Sequence, residues 1–167
     1  FIVSEIKKEI ITGANVTVPF KKKVIQYMDE LSPEANEAQS VNTIYSQNGK
    51  LIGHNTDISG FEIWIKYSKY DVKNKIVFIL GAGGVVSSII IALKKMGAAK
   101  IIISNRTKSK AEDLKNIFNK LEIVDWGETP NFDMIINATS IGLKNEDGIK
   151  LDYSQIEPNK FFYDVIY

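Results

Sequence analysis

The chain contains no cysteine and a single histidine, His54, among its 167 residues. The absence of cysteine excludes disulfides, thiolate catalysis and cysteine-based metal sites, and it is typical of proteins from a reducing compartment. One histidine cannot form a histidine-rich metal site, and we interpret His54 as a structural or solvated residue. We therefore expect a cytoplasmic protein that binds no metal.

A strong excess of one charge and long apolar runs are also missing. The formal net charge is +1, so the composition gives no sign of a nucleic-acid partner. No apolar run approaches the ~18 residues that are needed to cross a bilayer, and no signal peptide is visible. The apolar content of 44% is that of a globular protein with a core. We expect neither a nucleic-acid nor a membrane partner.

Neither end of the chain looks like a natural terminus. The first residue is Phe1 rather than Met, and residues 1–10 read as the middle of an amphipathic helix without a cap. Residues 161–167 form an apolar, strand-like run that nothing after it would cover. We therefore expect a fragment of a longer protein.

The chain from residue 76 onward alternates apolar runs with amphipathic segments. Continuous apolar runs are typical of strands buried on both faces, and helical spacing of apolar residues indicates the helices between them. This alternation predicts a parallel sheet with right-handed crossovers. The predicted strands are 76–80, 100–104, 122–124, 134–137 and 161–166, and the predicted helices are 85–97 and 108–121.

The first seventy residues predict a smaller α/β unit. Asn48-Gly49 between two strand-like runs, 40–46 and 50–56, is a strong hairpin signal. A short strand at 15–18 precedes Pro19, which suits the first turn of a helix running to residue 31. A second helix is predicted over 57–68, with Asp57 at or near its N-cap. The polar segment 71–75 is the expected boundary between domains 1–70 and 71–167.

The turn after the strand 76–80 is rich in glycine. Gly81 permits a tight turn, and Gly83 lets backbone N–H groups approach a pyrophosphate at the start of the next helix. Val86 stands where the fingerprint G-x-G-x-x-G has its third glycine, which only eases the packing of helix against strand. A glycine turn without a ligand is the alternative. The position between strand and helix favours a Rossmann-like, doubly wound parallel sheet that binds a dinucleotide.

The segment "NRTKSK", residues 105–110, follows the second strand of that unit. An Asp or Glu here would bind the ribose 2′-hydroxyl of NAD, whereas the Arg106 guanidinium can pair bidentately with a 2′-phosphate. Asn105 and Thr107 offer hydrogen-bonding side chains, and Lys110 adds charge. In isolation Arg106 would be a solvated loop arginine, but at this position it favours NADP over NAD.

Four polar residues of the first seventy are candidates for a substrate site. Thr17 and Lys21 flank a strand-to-helix turn, Asn42 lies inside an otherwise apolar strand where an amide needs partners or a ligand, and Asp57 begins a helix. Taken separately, each is explained as well by solvation, pairing or capping. The segment "NATSIG", 137–142, could likewise be a plain turn or a surface for the nicotinamide half of a cofactor.

The order and spacing of these motifs, from about residue 13 to the end, resemble those of the shikimate dehydrogenase family. The resemblance implies a reversible, NADP-dependent reduction of 3-dehydroshikimate to shikimate, with a monomer or homodimer as the assembly. It also implies a smaller substrate domain before the cofactor-binding sheet. The motifs are "NVTVPFK", "VNT", "NTD", "GAGG", "NRT", "NAT" and "YDVIY".

The resemblance also implies residue roles. Lys21 would be the catalytic lysine and Asp57 its hydrogen-bonded partner, with Thr17, Asn42 and Tyr167 as further substrate contacts. The residues implied for the cofactor are Gly81, Ala82, Gly83, Gly84, Val85, Asn105, Arg106, Thr107, Lys108, Ser109, Lys110, Thr139 and Val165.

The chain departs from the family pattern in three places. Gln39-Ser40 stand where the family usually has Gly-Ala, and the paired serines and the C-terminal glutamine that bind substrate have no counterpart. Two other functions stay open: a quinate/shikimate dehydrogenase that uses NAD, against which Arg106 argues, and a non-catalytic module that binds NADPH.

Overall fold

The computed structural model describes residues 1–142, 148, 151, 152, 154 and 156–166. Two β-sheets, of four and five strands, organise the chain. The chain divides into two compact units, Phe1–Lys69 with Ser87–Ala92 and Tyr70–Val86 with Leu93–Tyr167. The roles of substrate and cofactor domain remain predictions.

The first unit is built on a small mixed sheet with strand order β1-β3-β4-β2. Strands β3 and β4 form an antiparallel hairpin, β1 pairs antiparallel with β3, and β2 pairs parallel with β4. Its elements are α1 (Ile2–Lys7), β1 (Gly13–Asn15), β2 (Glu30–Leu31), α2 (Pro33–Ala38), β3 (Thr43–Gln47), β4 (Lys50–His54) and α3 (Asp57–Tyr67). Its buried core consists of Ile6, Val24, Ala35, Val41, Ile44 and Leu51.

The hairpin lies where Asn48-Gly49 predicts it. Both turn residues have positive φ, 52° at Asn48 and 75° at Gly49, as a two-residue turn between right-twisted strands requires. Gln47 pairs with Lys50 across the turn. Gln39 also has a left-handed conformation, with φ 47°, at the C-cap of α2, a position that favours glycine. This conformation explains why the family usually has glycine there.

The helix predicted from Pro19 to residue 31 is wrong. The chain forms only a short 3-10 helix, Lys23–Tyr27, after a cis Val18–Pro19 bond. The backbone N–H of Asp29 donates to the Leu51 carbonyl at 3.0 Å, and the chain then enters β2 alongside β4. Pairing with a distant strand therefore overrides local helix propensity.

The second unit contains a five-stranded parallel sheet with strand order β7-β6-β5-β8-β9. Counted in chain order this is 3-2-1-4-5, the order of a Rossmann-like fold, whose switch point lies between β5 and β8. The elements from residue 76 onward are β5 (Ile76–Leu80), α4 (Val86–Lys95), β6 (Lys100–Ser104), α5 (Lys108–Ile117), β7 (Leu121–Ile123), β8 (Met134–Asn137) and β9 (Phe161–Asp164). Of these, the α4 residues Ser87–Ala92 are grouped with the first unit. The α/β architecture predicted from the sequence is thus confirmed.

The predicted strands at 76–80, 100–104 and 134–137 have the observed bounds. The helix predicted over 108–121 ends at Ile117, because Leu121 pairs with Ile101 in the sheet. Lys120 reverses the chain in a left-handed conformation, with φ 72°. In the part of the chain that the structure describes, no helix is long and apolar enough to span a bilayer.

Candidate active site

Lys21 and Asp57 form an ion pair in the first unit. Lys21 Nζ lies 2.7 Å from Asp57 Oδ2, and the side chains are 13% and 21% exposed, respectively. The pair is therefore largely withdrawn from water but still open to a small molecule. A lysine held in this way can donate a proton to a substrate oxygen.

The segments next to strands β3 and β4 set the positions of this pair. The Lys21 carbonyl accepts a hydrogen bond from Val41 N at 2.9 Å, which fixes the backbone that carries the amine. Asp57 is the first residue of α3 and follows closely on β4. The prediction that Asp57 lies near a helix start is correct, and its carboxylate faces Lys21.

The Asn42 side chain joins Asp57 to the neighbouring backbone. Its Nδ2 donates to Asp57 Oδ1 and to Thr56 Oγ1, both at 2.9 Å. Its Oδ1 accepts from Thr56 N and from Thr43 Oγ1, both at 3.0 Å. All four hydrogen-bonding positions of the amide thus have protein partners, so Asn42 holds the carboxylate that faces Lys21.

Thr17 is exposed, and a backbone hydrogen bond of the preceding residue connects its segment to Asn42. The preceding residue, Val16, donates its N–H to the Asn42 carbonyl at 2.7 Å, and the Thr17 carbonyl accepts from Phe20 N at 2.8 Å. The contacts of Thr17 with substrate remain a prediction. The predicted contact Tyr167 lies outside the described residues.

Asn55 and Thr56 also belong to this site, although neither was predicted as a site residue. Asn55 Oδ1 accepts the backbone N–H of Asp57 at 2.9 Å. The segment "NTD" carried the signal, because an asparagine two residues before a helix start can bind the backbone in this way. His54, interpreted as a structural or solvated residue, lies with Nδ1 2.8 Å from Ser32 Oγ.

The glycine turn lies at the switch point of the parallel sheet. Gly81 has φ 110°, and a Cβ added to it would lie 2.6 Å from the Ala138 carbonyl oxygen. A Cβ on Gly83 would meet only that same oxygen, at 3.9 Å. The fold therefore requires glycine at 81 and not at 83, so Gly83 is available for a ligand's close approach. Helix α4 begins at Val86, directly after this turn.

Residues 105–110 lie beside the glycine turn on the same edge of the sheet. Gly81 N donates to the Ser104 carbonyl at 2.8 Å, which joins the ends of β5 and β6. Asn105 Nδ2 donates to the Thr107 carbonyl at 2.7 Å and so shapes the loop. Thr107 is the N-cap residue of α5, and Ser109 lies exposed in its first turn.

The cations of this loop differ in their partners. Lys108 Nζ lies 2.7 Å from Asp125 Oδ1, and the hydrogen bond and charge of Asp125 raise the pKa of Lys108. Within the described residues, the side chains of Arg106 and Lys110 form no hydrogen bond or ion pair, and both are exposed. Arg106 and Lys110 are therefore the cations available to an anionic ligand.

The ends of β8 and β9 are joined by a polar network around Asn137. Its Nδ2 donates to the Asp164 carboxylate at 3.1 Å, and its Oδ1 accepts from Thr139 Oγ1 at 2.8 Å. Val165 N donates to the Asn137 carbonyl at 3.0 Å. Predicted cofactor residues Thr139 and Val165 thus share an edge with the glycine turn. Asn137 and Asp164 were not predicted, although both stand in quoted motifs.

A parallel sheet with a glycine turn at its switch point is the architecture of the Rossmann-type dinucleotide-binding class. Residues 1–44 match the model of the shikimate dehydrogenase substrate binding domain, and residues 65–144 match that of shikimate / quinate 5-dehydrogenase. The chain belongs to the shikimate dehydrogenase family.

Relatives of known name agree with the family models. The chain is 60% identical over 166 residues to shikimate dehydrogenase (NADP(+)) of Pelagibacter ubique, covering 99% of this chain and 63% of that protein. It thus spans less than two thirds of that relative's length.

Solved structures of the family share the fold. Shikimate dehydrogenase from Aquifex aeolicus matches with a TM-score of 0.88 and 38% identity, over 99% of this chain and 62% of that one. Quinate dehydrogenase from Corynebacterium glutamicum, solved with NAD, matches with a TM-score of 0.87 and 28% identity, over 99% and 63%.

Proposed function

We propose that the whole protein carrying this chain is an NADP-dependent shikimate dehydrogenase. It would reduce 3-dehydroshikimate reversibly to shikimate, in the biosynthesis of aromatic amino acids. The observation that carries the proposal is the Lys21–Asp57 ion pair, 2.7 Å long and largely buried, in a chain of this family. An ordinary surface ion pair is exposed to water, whereas this pair is largely buried and its carboxylate is also bound by Asn42.

Lys21 would exchange the proton with the carbonyl oxygen of the substrate. Its Nζ is the donor of the pair, and Asp57 Oδ2, 2.7 Å away, would direct it. Asp57 would also accept a hydrogen bond from a substrate hydroxyl, and Thr17 and Tyr167 are proposed as further substrate contacts. Because the Asn42 amide is already fully bonded, its contribution to substrate binding would require an exchange of partners.

Bound NADPH would supply the hydride for the carbonyl carbon of the substrate. The residues present fit such a dinucleotide, because the space above Gly83 is open and a helix N-terminus follows the turn. Residues 81–85 would hold the pyrophosphate, and 105–110 the adenosine phosphate, with Arg106 paired to the 2′-phosphate. Thr139 and Val165 would lie beside the nicotinamide.

Two alternative functions differ in measurable ways. A quinate/shikimate dehydrogenase would oxidise quinate and prefer NAD. Arg106 opposes that preference, because it is exposed and its side chain has no hydrogen-bond or ion-pair partner among the residues that the structure describes. A non-catalytic module would bind NADPH without turnover. Such a module would have no use for the largely buried Lys21–Asp57 ion pair. Cytoplasmic location and a monomeric or homodimeric assembly stay predictions, the former supported by the absence of cysteine.

The test is a matrix of initial rates with the whole protein, combining shikimate or quinate with NADP or NAD. We expect the highest kcat/KM for shikimate with NADP. A preference for quinate with NAD would establish the first alternative. Tight NADPH binding without turnover of either substrate would establish the second.

A further inference from the structure

Asn55 is a fully buried polar residue next to the Lys21–Asp57 pair. The residue is 0% exposed, as are Ser40 and Ser88, which contact its side chain. Burying an amide is unfavourable unless its donors and acceptors are bonded. Such a residue adopts one orientation, set by its partners.

The partners of Asn55 fix that orientation. Nδ2 donates to the Ser40 carbonyl at 2.8 Å, and the Ser88 hydroxyl lies 3.1 Å from Nδ2 and 3.3 Å from Oδ1. Oδ1 is left to accept the backbone N–H of Asp57 at 2.9 Å. The bond to the Ser40 carbonyl therefore sets which end of the amide faces Asp57, whereas the Ser88 hydroxyl contacts both ends and does not choose between them.

Asp57 is thus held at two points by two different asparagines. Asn55 binds its backbone N–H, and Asn42 Nδ2 binds its carboxylate oxygen Oδ1 at 2.9 Å. The remaining oxygen, Oδ2, meets Lys21 Nζ at 2.7 Å. A shift of the Asp57 backbone would therefore change the direction of the lysine amine.

We infer that Asn55 is a positioning residue of the proposed reaction, acting on Lys21 through Asp57. The inference rests on the proposed function. The competing interpretation is that Asn55 only caps the first turn of α3, where a free N–H needs a partner. Capping alone would affect the stability of the protein and leave the turnover of folded molecules unchanged.

The experiment compares three variants of the whole protein. Asn55→Ala removes the acceptor for Asp57 N–H, and Asn55→Ser retains a shorter hydroxyl that can accept from the same N–H more weakly. Ser88→Ala is the matched control, because it disturbs the same buried network while Asn55 keeps its bonds to Ser40 and Asp57. Melting temperature, kcat, KM for shikimate and hydrogen exchange of the Asp57 amide are measured for each.

We expect Asn55→Ala to lower kcat by about 10- to 100-fold, because small misplacements of catalytic groups have effects of this size. Exchange of the Asp57 amide should accelerate, and Asn55→Ser should recover part of both losses. Ser88→Ala should lower the melting temperature while kcat and amide exchange stay close to wild type. If Asn55→Ala does not fold, the kcat of Asn55→Ser is compared with that of Ser88→Ala, and a lower kcat in Asn55→Ser supports the inference.

If the wild-type protein is active and the Asn55 variants have the same kcat as Ser88→Ala, the inference about Asn55 is wrong while the proposed function stands. Wild-type protein without shikimate-dependent reduction of NADP would overturn the proposed function, and the inference with it.

Discussion

Asn42 shows how a single polar residue can be located from the sequence while its hydrogen-bond partners cannot. An amide inside an apolar strand must find partners, and this requirement alone marks the position. Its partners could not be predicted, because Thr56 and Asp57 reach it only through the hairpin and the start of α3. The structure assigns its amide to holding Asp57.

Arg106 is the residue that should decide the choice of cofactor. Replacing it with alanine removes a charge-assisted pair with the 2′-phosphate, so NADP binding should weaken by roughly 1.5–3 kcal/mol. NAD has no 2′-phosphate and should be affected much less. Titration of the whole protein with each cofactor measures both dissociation constants.

Lys115 provides the control for Arg106. It is an exposed cation in the last turn of α5, far along the helix from the loop, and Lys115→Ala should leave both dissociation constants near their wild-type values. Equal weakening of NADP and NAD by Arg106→Ala would contradict the assigned role.

At the scale of elements, the turn between β5 and α4 has one glycine that the fold requires, Gly81, and one that we assign to ligand binding, Gly83. Gly81→Ala would place a Cβ 2.6 Å from the Ala138 oxygen at a φ of 110°, so it should lower the free energy of unfolding by about 1–3 kcal/mol. Gly83→Ala meets only that oxygen, at 3.9 Å, and should keep the stability.

In NADPH binding by the folded protein we expect the opposite order: Gly83→Ala should lose more affinity than Gly81→Ala. A methyl group at Gly83 would obstruct a pyrophosphate, and the loss of one charge-assisted bond would weaken NADPH by roughly 1.5 kcal/mol or more. Thermal unfolding and NADPH titration together check this. A Gly83→Ala protein that binds NADPH as wild type does would show that the turn holds no pyrophosphate.

The Asp29 side chain links α1, through Lys7, to β4, through Leu51, and should make the stability of the first unit depend on pH. The hydrogen bond from Leu51 N, 2.9 Å long, is the main cause that lowers the pKa of Asp29 below 3.8. Its contribution is therefore present above pH 3.8 and is lost as the pH falls through the lowered value.

The Asp29→Asn variant should lack this part of the pH dependence. Its melting temperature should approach that of wild type as the solution is acidified below the ordinary pKa of 3.8. Asp113→Asn, at an exposed position of α5, controls for net charge and should stay parallel to wild type. A constant difference between Asp29→Asn and wild type from neutral to acid pH would refute the assignment.

Elements that are specified by neighbouring residues could be predicted from the sequence, whereas elements that depend on pairing with a distant strand could not. Asn48-Gly49 specifies its hairpin because a tight turn needs positive φ at both residues. The segment after Pro19 has helical spacing, but Glu30 pairs with Ile52 across the sheet, and no local signal reveals this distant pairing. The β5–α4–β6 unit was predictable because its apolar runs and glycine turn agree.

At the scale of the whole molecule, the order of motifs carried more information than any one of them. Lys21, Asn42 and Asp57 are distant in sequence, and each alone has an ordinary explanation. The fold of the first unit brings them into one bonded group. The buried contact between Asn55 and Ser88 could not be foreseen, because it depends on tertiary packing of α4 residues.

The most direct test of the central claim is the kcat of Lys21→Met in the whole protein with shikimate and NADP. If Lys21 exchanges the proton, kcat should fall by roughly 10²–10⁴-fold, with a much smaller change in KM. Lys22→Met and Lys23→Met, at exposed neighbouring positions, should stay near wild type. A Lys21→Met protein that keeps its kcat and binds shikimate poorly would contradict the account, since Lys21 would then be a ligand rather than the catalyst.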